Sequence, residues 1–282
     1  MDGLERAFVR RQVEAFLAED VGRGDVTTAA VVPSGLRGRA RIEARAAFVV
    51  CGLQVARACF EQLGEVSWEG LLEDGAAVEP GAVLALISGE LGAILSAERT
   101  ALNLLGHLSG IATTSAAFAA AVAGTPARVV DTRKTTPGLR VLEKYAVRVG
   151  GCHNHRAGLD DGVLIKDNHI AAAGGISQAV SRARTAVPHG LLIEVEVGDL
   201  DGLDEALAAG ADAVLLDNMS PELVLEAVRR AGGKVVLEVS GGITLANVRA
   251  YAETGVDLIS CGALTHSAGY ADVALEVERW VS

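Results

Sequence analysis

From residue 128 onward, short apolar runs alternate with stretches of helical periodicity. The runs cover residues 128–131, 163–165, 191–197, 213–216, 235–239 and 258–260. Residues 201–209, 221–231 and 244–254 lie between the later runs and carry apolar positions at helical spacing. This alternation predicts parallel strands joined by right-handed helical crossovers. Successive runs recur at the spacing of βα units, which favours a barrel, left incomplete, over an open sheet. No GxGxxG follows the first strand, so a doubly wound dinucleotide fold fits poorly.

The first third has a different texture. A helix is expected over 4–17, then a polar, glycine-bearing loop over 19–28. Strands are expected over 38–44 and 47–50, a helix over 53–63, short strands with turns between 73 and 87, and a helix over 94–108. The reading is an α/β protein, with an N-terminal α+β sandwich over 1–112 and a parallel barrel over 113–268. Residues 269–282 alternate apolar positions and are expected to return to the first domain.

The chain has 282 residues, half of them hydrophobic and only 4% aromatic. That is enough to bury a sizeable core built on small and branched side chains, as α/β barrels prefer. The formal net charge of −11 argues against a sequence-independent grip on nucleic acid, which needs a basic surface. The four cysteines, Cys51, Cys59, Cys152 and Cys261, form no CxxC pair, and a reducing, cytoplasmic setting is expected. The N-terminal segment has no apolar core of a signal peptide. No uninterrupted apolar run is expected to span a bilayer.

Candidate chemistry collects where the barrel strands end. Asp131-Thr132-Arg133-Lys134 ends the first, and Lys166-Asp167-Asn168-His169 the second. Glu194 and Glu196 lie on the third. Asp217-Asn218 ends the fourth, Glu238 and Ser240 the fifth, and Gly262 the sixth. In a parallel barrel these ends converge on one face. A single charge there is ordinarily a solvated cap, whereas charges at nearly every strand end point to a site. Arg133, Lys134, His155, Arg156 and Lys166, with Arg99 on the preceding helix, form a cationic group. Guanidinium forks and lysine point charges suit a substrate with several carboxylates, or a phosphate. Glu196 and Asp217 on neighbouring strands suit water-mediated Mg2+ or a developing positive charge; ion pairing with Lys166 is the structural alternative. Glu194 and Glu196 share a face, and the pattern alone does not choose between them. Ser240-Gly241-Gly242, ahead of a helix expected near Thr244, and Gly262 resemble phosphate-binding turns. The His153-Asn154-His155 run lacks the spacing of a zinc site.

At these positions the chain resembles the quinolinate phosphoribosyltransferases. The resemblance rests on the run from Asp131 through Arg140 and on to Glu143-Lys144-Tyr145. Asn154-His155-Arg156, Ile165-Lys166-Asp167-Asn168-His169, Glu98-Arg99-Thr100 and Leu215-Leu216-Asp217-Asn218 add to it. Almost the whole chain takes part. The resemblance implies transfer of phosphoribosyl from phosphoribosyl pyrophosphate to quinolinate with decarboxylation, giving nicotinate mononucleotide, pyrophosphate and CO2. It implies that Thr132, Arg133, His155, Arg156 and Lys166 bind quinolinate, with Arg99 supplied by the partner of a homodimer or higher oligomer. It assigns Lys134, Glu196, Asp217, Ser240, Gly241, Gly242 and Gly262 to phosphoribosyl pyrophosphate. Lys134, Lys166, Glu196 and Asp217 carry the catalytic roles. Mg2+ is held mainly through substrate, with Glu196 and Asp217 as ligands through water. No nucleic-acid or membrane partner is implied. Two rivals remain: a Schiff-base aldolase using Lys166, and an anion-binding protein of the kind linked to molybdenum transport. The three arginines exceed the needs of one sugar phosphate, and the intact Thr-Arg-Lys-Thr-Thr-Pro-Gly run argues for the transferase.

Overall fold

The computed structural model describes residues 4–278. Two compact units divide the chain: Met1–Ser115, Arg148–Gly150 and Ala268–Ser282 form one, and Ala116–Val147 with Gly151–Ser267 the other. The elements, in chain order, begin with α1 (Arg6–Val21), α2 (Val26–Val31), β1 (Arg37–Ala44), β2 (Phe48–Val49) and α3 (Leu53–Leu63). Next are β3 (Val66–Gly70), β4 (Ala77–Val78), β5 (Val83–Glu90) and α4 (Leu91–Ala121). The second unit adds β6 (Arg128–Val130), α5 (Arg140–Val149), β7 (Val163–Ile165), α6 (Asp167–Ala173), α7 (Ile176–Ala186) and β8 (Ile193–Val197). Then follow α8 (Leu200–Ala208), β9 (Ala213–Asp217), α9 (Pro221–Ala231), β10 (Val236–Ser240), α10 (Val248–Ala252), β11 (Leu258–Ser260), α11 (Ala263–His266) and β12 (Val273–Glu278).

In the first unit, a four-stranded antiparallel sheet has the order β12-β1-β5-β3. Strand β1 alternates: Gly38, Ala40, Ile42 and Ala44 are buried while Arg37 and Arg39 are exposed. A half-buried sheet reads this way because successive side chains face opposite sides. Strand β12 pairs with β1, Ile42 opposite Leu275. The end of the expected return, 279–282, lies outside the described residues. The segment leading into β12 crosses α4 closely. A Cβ on Gly110 would stand 1.8 Å from the Gly269 carbonyl oxygen, so only glycine fits there.

Two expectations for this unit change. The loop expected over 19–28 is mostly helical. Helix α1 runs on to Val21, and Asp25 caps α2 by accepting the Thr28 N–H at 2.9 Å and the Thr28 hydroxyl at 2.6 Å. Its polar residues serve a helix start, where an Asp satisfies amides left unpaired. Helix α4 has 31 residues instead of ending near 108. Its second half keeps helical spacing through buried Ile111, Ala112, Ser115 and Phe118, but mostly small residues carry it, so hydropathy contrast is weak. By length and composition α4 is apolar enough to cross a membrane, although it is no uninterrupted apolar run, being broken by residues such as Glu98, Arg99, His107 and Ser109. Just over half of its most apolar window is buried inside the protein, as in a core helix.

The second unit is an α/β body around a six-stranded parallel sheet, ordered β6-β11-β10-β9-β8-β7. Strands β6 and β7, consecutive in sequence, occupy opposite edges, which is the open seam of an incomplete barrel. The central strands are buried along most of their length, as parallel strands covered by helices must be. Helix starts follow local rules: Asp199 caps α8 and Ser220 caps α9 ahead of Pro221. The helix expected from Thr244 is shorter. Residues 244–247 form a turn closed by the Asn247 side chain, and α10 begins at Val248.

Candidate active site

The C-terminal ends of the parallel strands surround a cleft of about 620 Å3. From β6 onward the rim carries Thr132, Arg133 and Lys134, and the loop after His153 adds His155 and Arg156. Strand ends contribute Lys166, Glu196, Asp217 and Ser240, followed by Asn218, Gly241 and Gly242. Leu164, Leu215, Glu238 and Ser260 line it one layer deeper. Eleven of the thirteen residues singled out in the sequence therefore line one cleft. Gly262 sits beside it: a Cβ there would lie 3.0 Å from Lys134 Cδ. Arg99 is exposed on α4, in the other unit.

The cationic wall rests on a buried anchor. Asp131 and Lys144 form an ion pair with almost no solvent access. Asp131 also accepts the Asn154 amide at 2.6 Å and the His155 N–H at 2.9 Å, while Lys144 Nζ donates to the His155 carbonyl at 3.0 Å. Burial pushes the Asp131 carboxyl up, and Lys144, the His155 N–H and Asn154 pull it back. These bonds fix the backbone that presents His155 and Arg156. Arg156 donates to the Gly162 carbonyl at 2.9 Å. Burial and then the like charge of Arg133 lower the Arg156 pKa. Arg133 Nε is buried without a hydrogen-bond partner among the described residues. Two guanidiniums that repel each other, one holding an unsatisfied donor, call for an anion between them.

Across the cleft, Lys166 pairs with Glu196. Glu194 and Glu196 face the same way, as alternation requires, but at different depths. Glu196 borders the cleft, while Glu194 is buried and meets His155 Nε2 at 3.2 Å. His169, read as part of a strand-end motif, accepts the Lys166 N–H at 3.0 Å and so serves the start of α6. Asp217 accepts the Asn218 side-chain amide at 2.8 Å. Gly241 has φ +97, and a Cβ there would fall 2.2 Å from Asn218 Oδ1. Backbone amides of this turn can thus approach a ligand that a side chain would keep away. Because α10 starts later than expected, these amides, and no helix end, are what the turn offers a phosphate.

Comparison with known proteins identifies the family. The family model of the quinolinate phosphoribosyl transferase C-terminal domain matches residues 111–276, and the N-terminal domain model matches 25–109. The chain belongs to the quinolinate phosphoribosyltransferase family. It is 45% identical to a probable nicotinate-nucleotide pyrophosphorylase [carboxylating] of Synechocystis sp. over 95% of this chain and 92% of that protein. Identity to the nicotinate-nucleotide pyrophosphorylase [carboxylating] of Mycobacterium leprae is 44%, covering 95% and 96%. The solved structure of the nicotinate-nucleotide pyrophosphorylase from Francisella tularensis superposes with a TM-score of 0.93 at 41% identity, covering 98% of each chain.

Within this quinolinate phosphoribosyltransferase chain, the residue the motifs left without a role is Glu238. It is 1% exposed, yet it lines the cleft floor, and neither carboxyl oxygen has a hydrogen-bond partner among the described residues. Its Oε2 lies 3.6 Å from His155 Nε2. The signal was in the sequence: Glu238 alternates with Ser240 as Glu194 does with Glu196, which puts all four on the inner face. Cys152 and Cys261 are buried free thiols, with Cys152 pushed up to about 12 by burial. Neither offers a thiolate, in line with a packing role.

Proposed function

We propose that this chain transfers phosphoribosyl from phosphoribosyl pyrophosphate to quinolinate, releasing pyrophosphate and CO2 and leaving nicotinate mononucleotide. The observation that carries this reading is the Arg133–Arg156 pair: two partly desolvated guanidiniums, with no salt bridge to a carboxylate among the described residues, beside Lys166 and across from Asp217 and the Ser240-Gly241-Gly242 turn. A dianion entering between them regains in charge-assisted hydrogen bonds what it loses in hydration. Thr132 and His155 complete that side of the cleft. In a homodimer, Arg99 of each subunit completes its partner's quinolinate site.

The pyridine nitrogen attacks the anomeric carbon; the N–C bond forms as the C–O bond to pyrophosphate breaks, and the electron pair leaves with pyrophosphate. Positive charge grows on the ribose, where Glu196 and Asp217 stabilise it. Lys134 neutralises the departing pyrophosphate, and Ser240, Gly241, Gly242 and Gly262 hold phosphate oxygens. The ring nitrogen is then cationic. Cleavage of the adjacent C–CO2 bond leaves an electron pair on carbon beside that cation, and a proton from water completes the product. Glu196 and Asp217, hard oxygen donors on adjacent strands, suit Mg2+ bound through water and substrate phosphates. When bound, Mg2+ supplies charge neutralisation on pyrophosphate. A cytoplasmic location accords with this substrate set.

The test is a product assay with quinolinate, phosphoribosyl pyrophosphate and Mg2+, run beside nicotinate. Nicotinate mononucleotide and CO2 from quinolinate alone are expected. Folded protein that makes no product but binds molybdate tightly would replace this reading with the anion-binding one. Trapping of Lys166 by borohydride with a carbonyl substrate would favour an aldolase.

A further inference from the structure

Beneath the cationic wall lies a group of three ionisable side chains that the reaction as written does not use. His155, Glu194 and Glu238 bring one ring nitrogen and two carboxyl oxygens within 4.8 Å of one another. The spacing resembles a cation site, but the histidine is in the wrong tautomer for one. His155 Nδ1 accepts the Arg156 backbone N–H at 2.7 Å, so it carries no proton. The neutral ring then has its hydrogen on Nε2, aimed at Glu194 at 3.2 Å. A metal-bound histidine needs the reverse, a free Nε2 and a donating Nδ1–H. The cluster is built to hold protons.

Those protons are not shared equally. Glu194 Oε2 lies 3.2 Å from His155 Nε2 and accepts its hydrogen. Glu238 is 1% exposed, neither of its oxygens has a hydrogen-bond partner among the described residues, and the carboxyl of Glu194 lies in the same cluster. Two buried carboxyl groups this close resist ionising together, so one of them holds its proton to a higher pH.

We propose that Glu238 is a positioning residue of the quinolinate pocket that works as a neutral carboxylic acid. It withholds a second negative charge from the cleft floor beside His155, whose Nδ1 accepts the Arg156 backbone N–H. This rests on the reading of function above and deepens it: the site accepts a dianion not only because of its arginines but because a nearby acid is silenced.

The groups facing Glu238 are Glu194 from β8, His155 from the loop after β6, Lys166 from the end of β7 and Ser260 from β11. Arg156 and Lys144 stand behind His155. Burial and then Glu194 push the Glu238 carboxyl up to about 7, against the pull of His155, Ser260 and Lys166. Below that pH the acid is neutral. Above it the proton leaves, and the new charge opposes a substrate whose two carboxyl groups are already ionised.

The experiment is the pH dependence of KM for quinolinate, measured from about one pH unit below to two above that midpoint. Loss of one proton predicts a rise that approaches about tenfold per pH unit above the midpoint. Neither kcat nor KM for phosphoribosyl pyrophosphate should share the rise. In Glu238→Gln, neutral at every pH, the rise should vanish; its persistence there would overturn the proposal. A wild-type KM that stays flat would also overturn it. Should the variant fail to fold, infrared difference spectra of the wild type supply the answer. A protonated-carboxyl carbonyl band must be present below the midpoint and lost above it, and its absence below is equally fatal. Absence of product from quinolinate at any pH would instead defeat the reading of function. Product formation with a flat KM defeats only this inference.

Discussion

Replacing Lys144 by methionine removes a buried ammonium while keeping most of the side chain's volume. Asp131, fully buried, would lose its ion-pair partner and keep only the Asn154 amide and the His155 N–H. Removing one member of a buried pair strands the other charge, at a cost of about 3–5 kcal/mol. Replacing both, as Asp131→Asn with Lys144→Met, leaves no stranded charge and should recover at least about half of that loss. The cost also has a pH signature. Without Lys144 the folded-state pKa of Asp131 rises further above its unfolded value, so the folded variant holds a proton that the unfolded chain has released. Its deficit is therefore smallest in acid and grows as pH rises through the folded pKa. Urea unfolding of wild type, single and double variants across that range measures this. Because the His155 carbonyl and N–H both hang on the pair, the single variant should also raise KM for quinolinate. A single variant within about 1 kcal/mol of wild type at neutral pH would refute the anchor argument.

Other outcomes follow from the same geometry. Arg99→Ala should fold yet use quinolinate poorly, and mixing it with Lys166→Ala should restore part of the activity if the site is shared between subunits; no recovery on mixing counts against sharing. Gly241→Ala forces a Cβ to 2.2 Å from Asn218 Oδ1 at φ +97. It should raise KM for phosphoribosyl pyrophosphate more than KM for quinolinate, with a strain of about 1–3 kcal/mol. An unchanged phosphoribosyl pyrophosphate KM would mean that the turn does not bind it. Glu238, whose carboxyl is raised from 4.5 to about 7 on folding, removes stability as pH climbs through that interval. Since the folded state holds the proton longer, Glu238→Gln should gain on wild type by up to about 3 kcal/mol between acid and neutral pH, read from paired unfolding curves.

Much of this was legible along the chain. Strands β7 and β11 and helices α3 and α9 have the boundaries that apolar spacing predicts. Nine of the thirteen site residues converge because they sit at or just past a strand end, and a parallel sheet sends all its strand ends to one side; His155 and Arg156 join them from the loop after His153. The boundaries that moved did so where contrast was weak. The second half of α4 keeps helical spacing in mostly small residues, and the 19–28 segment mixes cap residues with loop residues, which look alike until a backbone amide selects one of them.

What the sequence determined by itself is therefore periodicity, chain order and the chemical inventory, because these depend only on neighbours along the chain. Tertiary structure decided depth and partnership. Glu194 and Glu196 are two residues apart and face the same way, yet one is buried against His155 and the other meets Lys166 at the rim. Lys144 and Asp131 find each other across thirteen positions, and Arg133 Nε is left without a hydrogen-bond partner among the described residues. Glu238 becomes a neutral acid only because folding removes its water and places a carboxylate beside it. No local pattern encodes such a charge state, since desolvation and Coulomb energy depend on distances that exist only after the chain has folded.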